Sequence, residues 1–209
     1  MPAVALIDLY DTLVWSEWAA LRRRMEARLG LPERRLMDAF SATIEERGTG
    51  VYGSPEGDLR AVLAAAGVEP EPALVAELVE LERAHLEGGI HLHDDALPVL
   101  RELRARGVPT ALVSNCSHGT RTVVDGLALE AEMDAIVLSF EVGSMKPDPG
   151  IYLEALRLLG ARPEDAVFVD DQQGFVDGAS AVGIRALRID RGAAAAADGV
   201  ITSLTALLD

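Results

Sequence analysis

A single cysteine, Cys116, stands among the 209 residues, so the chain can form no internal disulfide and no multi-cysteine zinc site. With no His and Asn constellation around it, Cys116 reads as a bystander thiol rather than a nucleophile. Long apolar runs are also missing. No window approaches the roughly eighteen apolar residues of a membrane span, and no basic stretch leads into a cleavable apolar segment at the N-terminus. The expectation is a cytoplasmic protein with no membrane contact. Positive charge is scarce: 19 Lys and Arg face 34 Asp and Glu, for a formal net charge of -15. A field of that sign repels phosphate polymers, which argues against nucleic acid as a partner while leaving room for a small anion in a local pocket. No repeat period is present.

What remains is a globular composition, 49% apolar and 25% charged. The length suits one domain, or a core with a modest insertion, as monomer or homodimer. Residues 3–8 (AVALID) form a short apolar run with β-branched members, suited to a strand buried on both faces. The same signature returns at 109–113, 135–139, 166–169 and 184–189. Between these runs lie helical patterns at 95–106, 118–128, 148–159 and 174–182, three of them closed by Gly107, Gly160 and Gly183. Strands alternating with helices predict an α/β Rossmann-like sandwich around a parallel sheet. Residues 14–91 break the alternation with amphipathic helical segments divided by Gly and Pro. The expected division is a core of 1–13 and 92–209 and a helical cap of 14–91, placed over the sheet edge where open α/β folds bind ligands.

Four clusters fall at strand ends: Asp8-Leu-Tyr10-Asp11-Thr12, Ser114-Asn115, Lys146-Pro-Asp-Pro and Asp170-Asp171. Carboxylates without His or Cys suit a hard cation such as Mg²⁺. The lysine would keep the carboxylates from protonating one another and could bind a transferring anionic group. This set suits an aspartyl nucleophile.

In these residues the chain resembles the haloacid dehalogenase-like hydrolase superfamily. DxxxTL at 8–13, SN at 114–115, KPDP at 146–149 and FVDD at 168–171 match its four ordered motifs, and the helical insertion looks like that superfamily's cap. The resemblance implies that Asp8 forms a covalent aspartyl intermediate. It further implies that Ser114 and Asn115 orient the transferring group, that Thr12 supports the first loop and that Lys146 holds charge. Asp170 would join Asp8 and the Tyr10 carbonyl in binding Mg²⁺, with Asp171 assisting. The implied activity is a Mg²⁺-dependent phosphatase acting on a small phosphorylated metabolite.

Tyr10 departs from the phosphatase pattern, which carries at this position a second aspartate that protonates the leaving oxygen and then activates water. A tyrosine here is what the superfamily's 2-haloacid dehalogenases carry, since a halide leaves without a proton, and Tyr152 also fits their pattern. Those enzymes need no metal and tend to have serines where this chain keeps Asp170 and Asp171. Phe175 replaces a polar residue common in the phosphatases, which leaves a weak or inactive binding protein as a third reading.

Tyr10, Asn115 and Trp15, the last close to Asp8 in sequence, are placed at the substrate. Trp18 belongs to the cap's own core. Asp11 reads as a turn former or a site acid. Arg22, Arg23, Arg24, Arg34 and Arg35 read as solvated cap faces, any one of which could supply a clamp for a substrate carboxylate. His91 and His93 read as a hinge, and His118 is placed at the pocket rim.

Overall fold

In the computed structural model, which describes residues 2–209, the run AVALID becomes β1 (Val4–Ile7), buried on both faces. A short β2 (Val14–Ser16) leads into five helices: α1 (Trp18–Leu29), α2 (Arg35–Ala42), α3 (Ile44–Gly48), α4 (Pro55–Ala66) and α5 (Pro72–Gly88). β3 (Ile90–Leu92) then pairs antiparallel with β2, setting Trp15 opposite His91. The chain therefore leaves and re-enters the core through a two-stranded ribbon, which three-residue strands were too short to announce by periodicity.

From there the alternation expected from the sequence runs on. α6 (Ala96–Ala105), β4 (Thr110–Ser114), α7 (Thr120–Gly126), α8 (Leu129–Glu132) and β5 (Ala135–Leu138) come first. They are followed by α9 (Ser139–Val142), α10 (Pro149–Leu159), β6 (Ala166–Asp170), α11 (Gln173–Ala181), β7 (Arg185–Ile189) and β8 (Val200–Ile201). The six-stranded sheet has the order β5-β4-β1-β6-β7-β8 with every pairing parallel. β8 is one strand more than the five apolar runs foretold. Winding runs from β1 outward through β4 to β5 and then jumps back to β6 on the other side of β1. The tips of β4, β1 and β6 therefore border a topological switch point, the crevice where such sheets bind ligands.

Pleating sends alternate β1 residues to opposite faces. Ala5 and Ile7 pack with Val99, Leu100 and Leu103 of α6, while Val4 and Leu6 pack with Ile151, Tyr152 and Ala155 of α10. Four of the five helices between β2 and β3 (α1, α2, α4 and α5) build a third cluster, with Leu21, Met25, Leu36, Leu59, Val62, Leu63, Val75 and Leu78 at its centre. The helical segment sits hard against the sheet edge at two glycines. Gly50, at φ +75°, lets α3 abut the Phe140 carbonyl, and Gly119 admits Leu86 of α5. No helix among the described residues is long and apolar enough to cross a membrane.

Asp95 ties the loop after β1 to the C-terminal segment. Its carboxylate accepts from the Arg191 guanidinium at 2.9 and 3.2 Å, from Ser203 Oγ at 2.7 Å and from the Leu204 amide at 2.8 Å, while Arg191 also donates to the Thr12 carbonyl at 2.6 Å. Burial works against the charged form, but these donors outweigh it and hold the Asp95 carboxyl below its ordinary value. A depressed carboxyl contributes stability above its unfolded value near 3.9 and loses it as the pH falls through the folded value. Asp95→Ala is expected to cost about 1–3 kcal/mol in urea unfolding at pH 7. The gap to wild type should narrow as the pH falls toward about 3; an unchanged gap would show that the carboxylate's charge contributes nothing.

Candidate active site

Strand pairing places the first carboxylate. The Asp8 amide still bonds to the Val169 carbonyl at 3.0 Å, so the Asp8 side chain leaves the sheet beside the tip of β6, where Asp170 ends its strand. Lys146 arrives from the loop between α9 and α10, with a cis peptide to Pro147. Asn115 holds that loop down: its Nδ2 donates to the Lys146 carbonyl at 2.8 Å, and its Oδ1 accepts from the Lys146 amide at 2.7 Å. The Asn115 side chain, expected to orient the transferring group, is thus engaged in positioning the lysine backbone, although Asn115 still lines the cavity.

The ammonium of Lys146, the one lysine in the chain, donates to Asp8 Oδ1 at 2.5 Å, Asp170 Oδ2 at 2.6 Å and the Val113 carbonyl at 3.0 Å. Those contacts account for its three protons. The rings of Phe168 and Phe175 lie 5.5 and 5.1 Å from Nζ, close enough for cation–π attraction. Phe175 therefore replaces a polar contact with an aromatic one, and its carbonyl accepts from the Tyr152 hydroxyl at 2.7 Å. Asp170 Oδ1 accepts from the Gln172 amide at 2.8 Å.

One cation facing three carboxylates leaves the site short of positive charge. Burial raises the Asp8 carboxyl to about 7, with Lys146 opposing and Asp170 adding to the rise. Burial, with Asp170 and Asp11, raises Asp171 to about 6. Lys146 is disfavoured by its own burial, yet Asp8 and Asp170 hold its pKa above the ordinary value. Oxygen atoms of Asp8, Asp170 and Asp171 all lie within 4.8 Å of one another. An all-carboxylate set with a charge deficit fits a hard divalent cation. Among the described residues no other group of His, Cys or acids is so placed, the histidines of 91–93 included.

Ser114 Oγ and Thr12 Oγ1 are buried without a hydrogen-bond partner. Buried hydroxyls seldom stay unpaired, so both are free to meet a bound group. Tyr10 lines the cavity, but its hydroxyl meets Thr120 Oγ1 at 3.1 Å, and burial pushes it well above its ordinary value, beyond use as a base near neutrality. Asp11 is exposed at φ +59°, its amide bonded to the Val14 carbonyl at 2.7 Å, as a turn residue would be. Burial lifts the Cys116 thiol to about 11, in keeping with an inert role.

Between the helices and the sheet edge lies a cavity of about 570 Å³. Two expectations fail here. Trp15 does not line it: the indole is 43% exposed and stacks on His91 at 4.3 Å over the ribbon, because antiparallel pairing turns it outward, and Trp18 lines the cavity instead. His118 is not at the rim. It is tucked against the helices, its Nδ1 2.9 Å from Asp58 Oδ2, which links α4 to the loop before α7. The arginine runs do not reach the cavity: Arg22 pairs with Glu26 at 2.8 Å within α1, and Arg35 of α2 donates across to the Ala65 and Ala66 carbonyls at the end of α4. The arginine that does line the cavity is Arg47, held by Thr43 Oγ1 and the Phe40 carbonyl and stacked 4.9 Å over the Phe40 ring. Glu82 lines it too. Neither carries a motif, and both were missed.

The family model for haloacid dehalogenase-like hydrolases matches residues 2–183. A glyceraldehyde 3-phosphate phosphatase of Methanopyrus kandleri is 30% identical over 203 residues, covering 92% of this chain and 85% of that protein. A phosphoserine phosphatase of Thermus thermophilus is 37% identical over 136 residues, 64% of this chain and 53% of that protein. Among solved structures, 2-haloacid dehalogenase from Pseudomonas syringae matches with a TM-score of 0.73 at 25% identity, covering 100% of this chain and 97% of that one.

Proposed function

The chain belongs to the haloacid dehalogenase-like hydrolases, and within that family we propose that it is a Mg²⁺-dependent phosphatase of a small phosphorylated metabolite, with Asp8 as nucleophile. The observation that carries this reading is the retained acid set of Asp8, Asp170 and Asp171 around a single buried ammonium. A metal-free pocket for a carboxylate substrate would gain nothing from these acids, which repel such a substrate.

In this reading Asp8 attacks phosphorus and forms an aspartyl phosphate. Lys146 offsets charge on Asp8 and on the transferring group, and the free hydroxyls of Ser114 and Thr12 donate to its oxygens. A divalent ion held by Asp8, Asp170, Asp171 and the Tyr10 carbonyl would screen the carboxylates from the incoming phosphate and keep Asp8 ionised. The helices between β2 and β3 form one wall of the cavity and the sheet edge the other.

Tyr10 favours a second reading, displacement of halide from a 2-haloacid, because that step needs no proton donor. One assay separates the two. Phosphate release from p-nitrophenyl phosphate and sugar phosphates is expected to require Mg²⁺ and to stop with a chelator. Halide release from L-2-chloropropionate that persists with the chelator, without phosphatase activity, would overturn the phosphatase reading.

A further inference from the structure

A phosphatase with tyrosine at position 10 lacks a proton carrier there, and the structure offers a carboxyl from the opposite wall. Glu82 of α5 lines the cavity shared by Tyr10, Asn115 and Lys146. Its carboxyl carbon lies 3.9 Å from the point where a side chain at Gly119 would begin. It therefore faces the start of α7, in the same cavity lining as Gly119, Thr120 and Tyr10. The absence of a side chain at Gly119 is what lets α5 come this close.

The groups around Glu82 leave it available. Arg47 of α3 and Asp58 of α4 act on it with opposite charge, and Asp58 is itself committed to His118. Burial brings the Glu82 carboxyl to about 7, where it can both give and take a proton near neutrality. The other cavity groups are worse placed. The Tyr10 hydroxyl and Cys116 thiol hold their protons too tightly, and His85 faces Ser16 Oγ at 3.3 Å with its pKa depressed by burial. Asp11 is exposed and also borders a separate outer groove with His93 and Arg191.

We propose that Glu82 is the general acid and base of the reaction, a carboxyl carried by the helical cap rather than by the loop after the nucleophile. The proposal rests on the phosphatase reading. In the first step an Asp8 oxygen bonds to phosphorus, the bond to the leaving oxygen breaks with its electron pair, and the Glu82 proton passes to that oxygen. In the second step water attacks the aspartyl phosphate and its proton passes to the Glu82 carboxylate. The bond between phosphorus and the Asp8 oxygen breaks, restoring the Asp8 carboxylate and releasing inorganic phosphate. Because the donor rides on the cap, proton transfer is available only when cap and core are together.

The test compares wild type with Glu82→Gln on a sugar phosphate and on p-nitrophenyl phosphate, with Mg²⁺, in stopped-flow and steady state. A sugar alkoxide needs a proton to leave, whereas p-nitrophenolate does not. Glu82→Gln is expected to lower sugar-phosphate turnover by about 10²- to 10⁴-fold. On p-nitrophenyl phosphate it should keep a rapid burst near one p-nitrophenol per enzyme, followed by slowed turnover as the phosphoenzyme waits for water. The burst itself reports an intact site, so a misfolded variant is not mistaken for success. Sugar-phosphate turnover within about threefold of wild type overturns the proposal, as does equal loss of the first step on both substrates in a variant with a wild-type melting curve. Wild type that releases no phosphate from either substrate overturns the phosphatase reading and the proposal together.

Discussion

Asp8→Asn is expected to lose turnover by on the order of 10⁴-fold or more while melting no lower than wild type. An amide cannot form the aspartyl ester, so the chemical step has no route through position 8. Stability behaves differently because the wild-type carboxylate is buried and pressed by Asp170, which together raise it to about 7. In the variant Lys146 keeps Asp170 as counterion and loses only a second, crowded acid. Catalytic groups held in such positions commonly cost stability, and removing one often restores it. Phosphate release and thermal unfolding on the same preparation check both halves. Persistent activity would remove Asp8 as nucleophile, and a large fall in melting temperature would mean that the Asp8 to Lys146 contact is structural.

Lys146→Ala is expected to abolish turnover and to destabilise the fold by about 3–5 kcal/mol in urea unfolding, the scale found when one member of a buried ion pair is removed. Its loss leaves Asp8 and Asp170 facing one another in a site almost closed to water, with no proton donor between them. The loop itself should keep its path, since Asn115 holds the main chain of residue 146 and not its side chain. Mg²⁺ should recover part of the lost stability, because a cation that binds the folded acids shifts unfolding by mass action. A cost below about 1 kcal/mol would show that water or protonation already relieves the carboxylates.

Much of the fold is legible because buried parallel strands are local signals. Each is a short apolar run closed by a polar tip, and the tips carry Asp8, Ser114 and Asp170. Lys146 carries a further signal: one lysine stands among 19 basic residues, where arginine serves everywhere else. The β2–β3 ribbon and β8 escape because two or three residues show no period. Trp15 was misplaced because nearness to Asp8 in sequence says nothing of the face a strand presents, which its pairing with β3 decides. The arginine runs drew attention through density, yet Arg47, a lone arginine at the end of a five-residue helix, is the one in the cavity.

By itself the sequence determined the order of the five longer core strands and the helices between them, the acids and lysine at the sheet edge and the family they mark, since each depends on residues close together along the chain. Only the tertiary structure decided that Asn115 holds the lysine loop, that Tyr10 is spent on Thr120 and that Glu82 and Arg47 face the cavity. The first two depend on how the loops after β1, β4 and β5 meet at the sheet edge, and the third on the rotation of α3 and α5 about their axes. Packing among the helices between β2 and β3, and of these against the sheet edge, sets such placements, and no local stretch of chain encodes them.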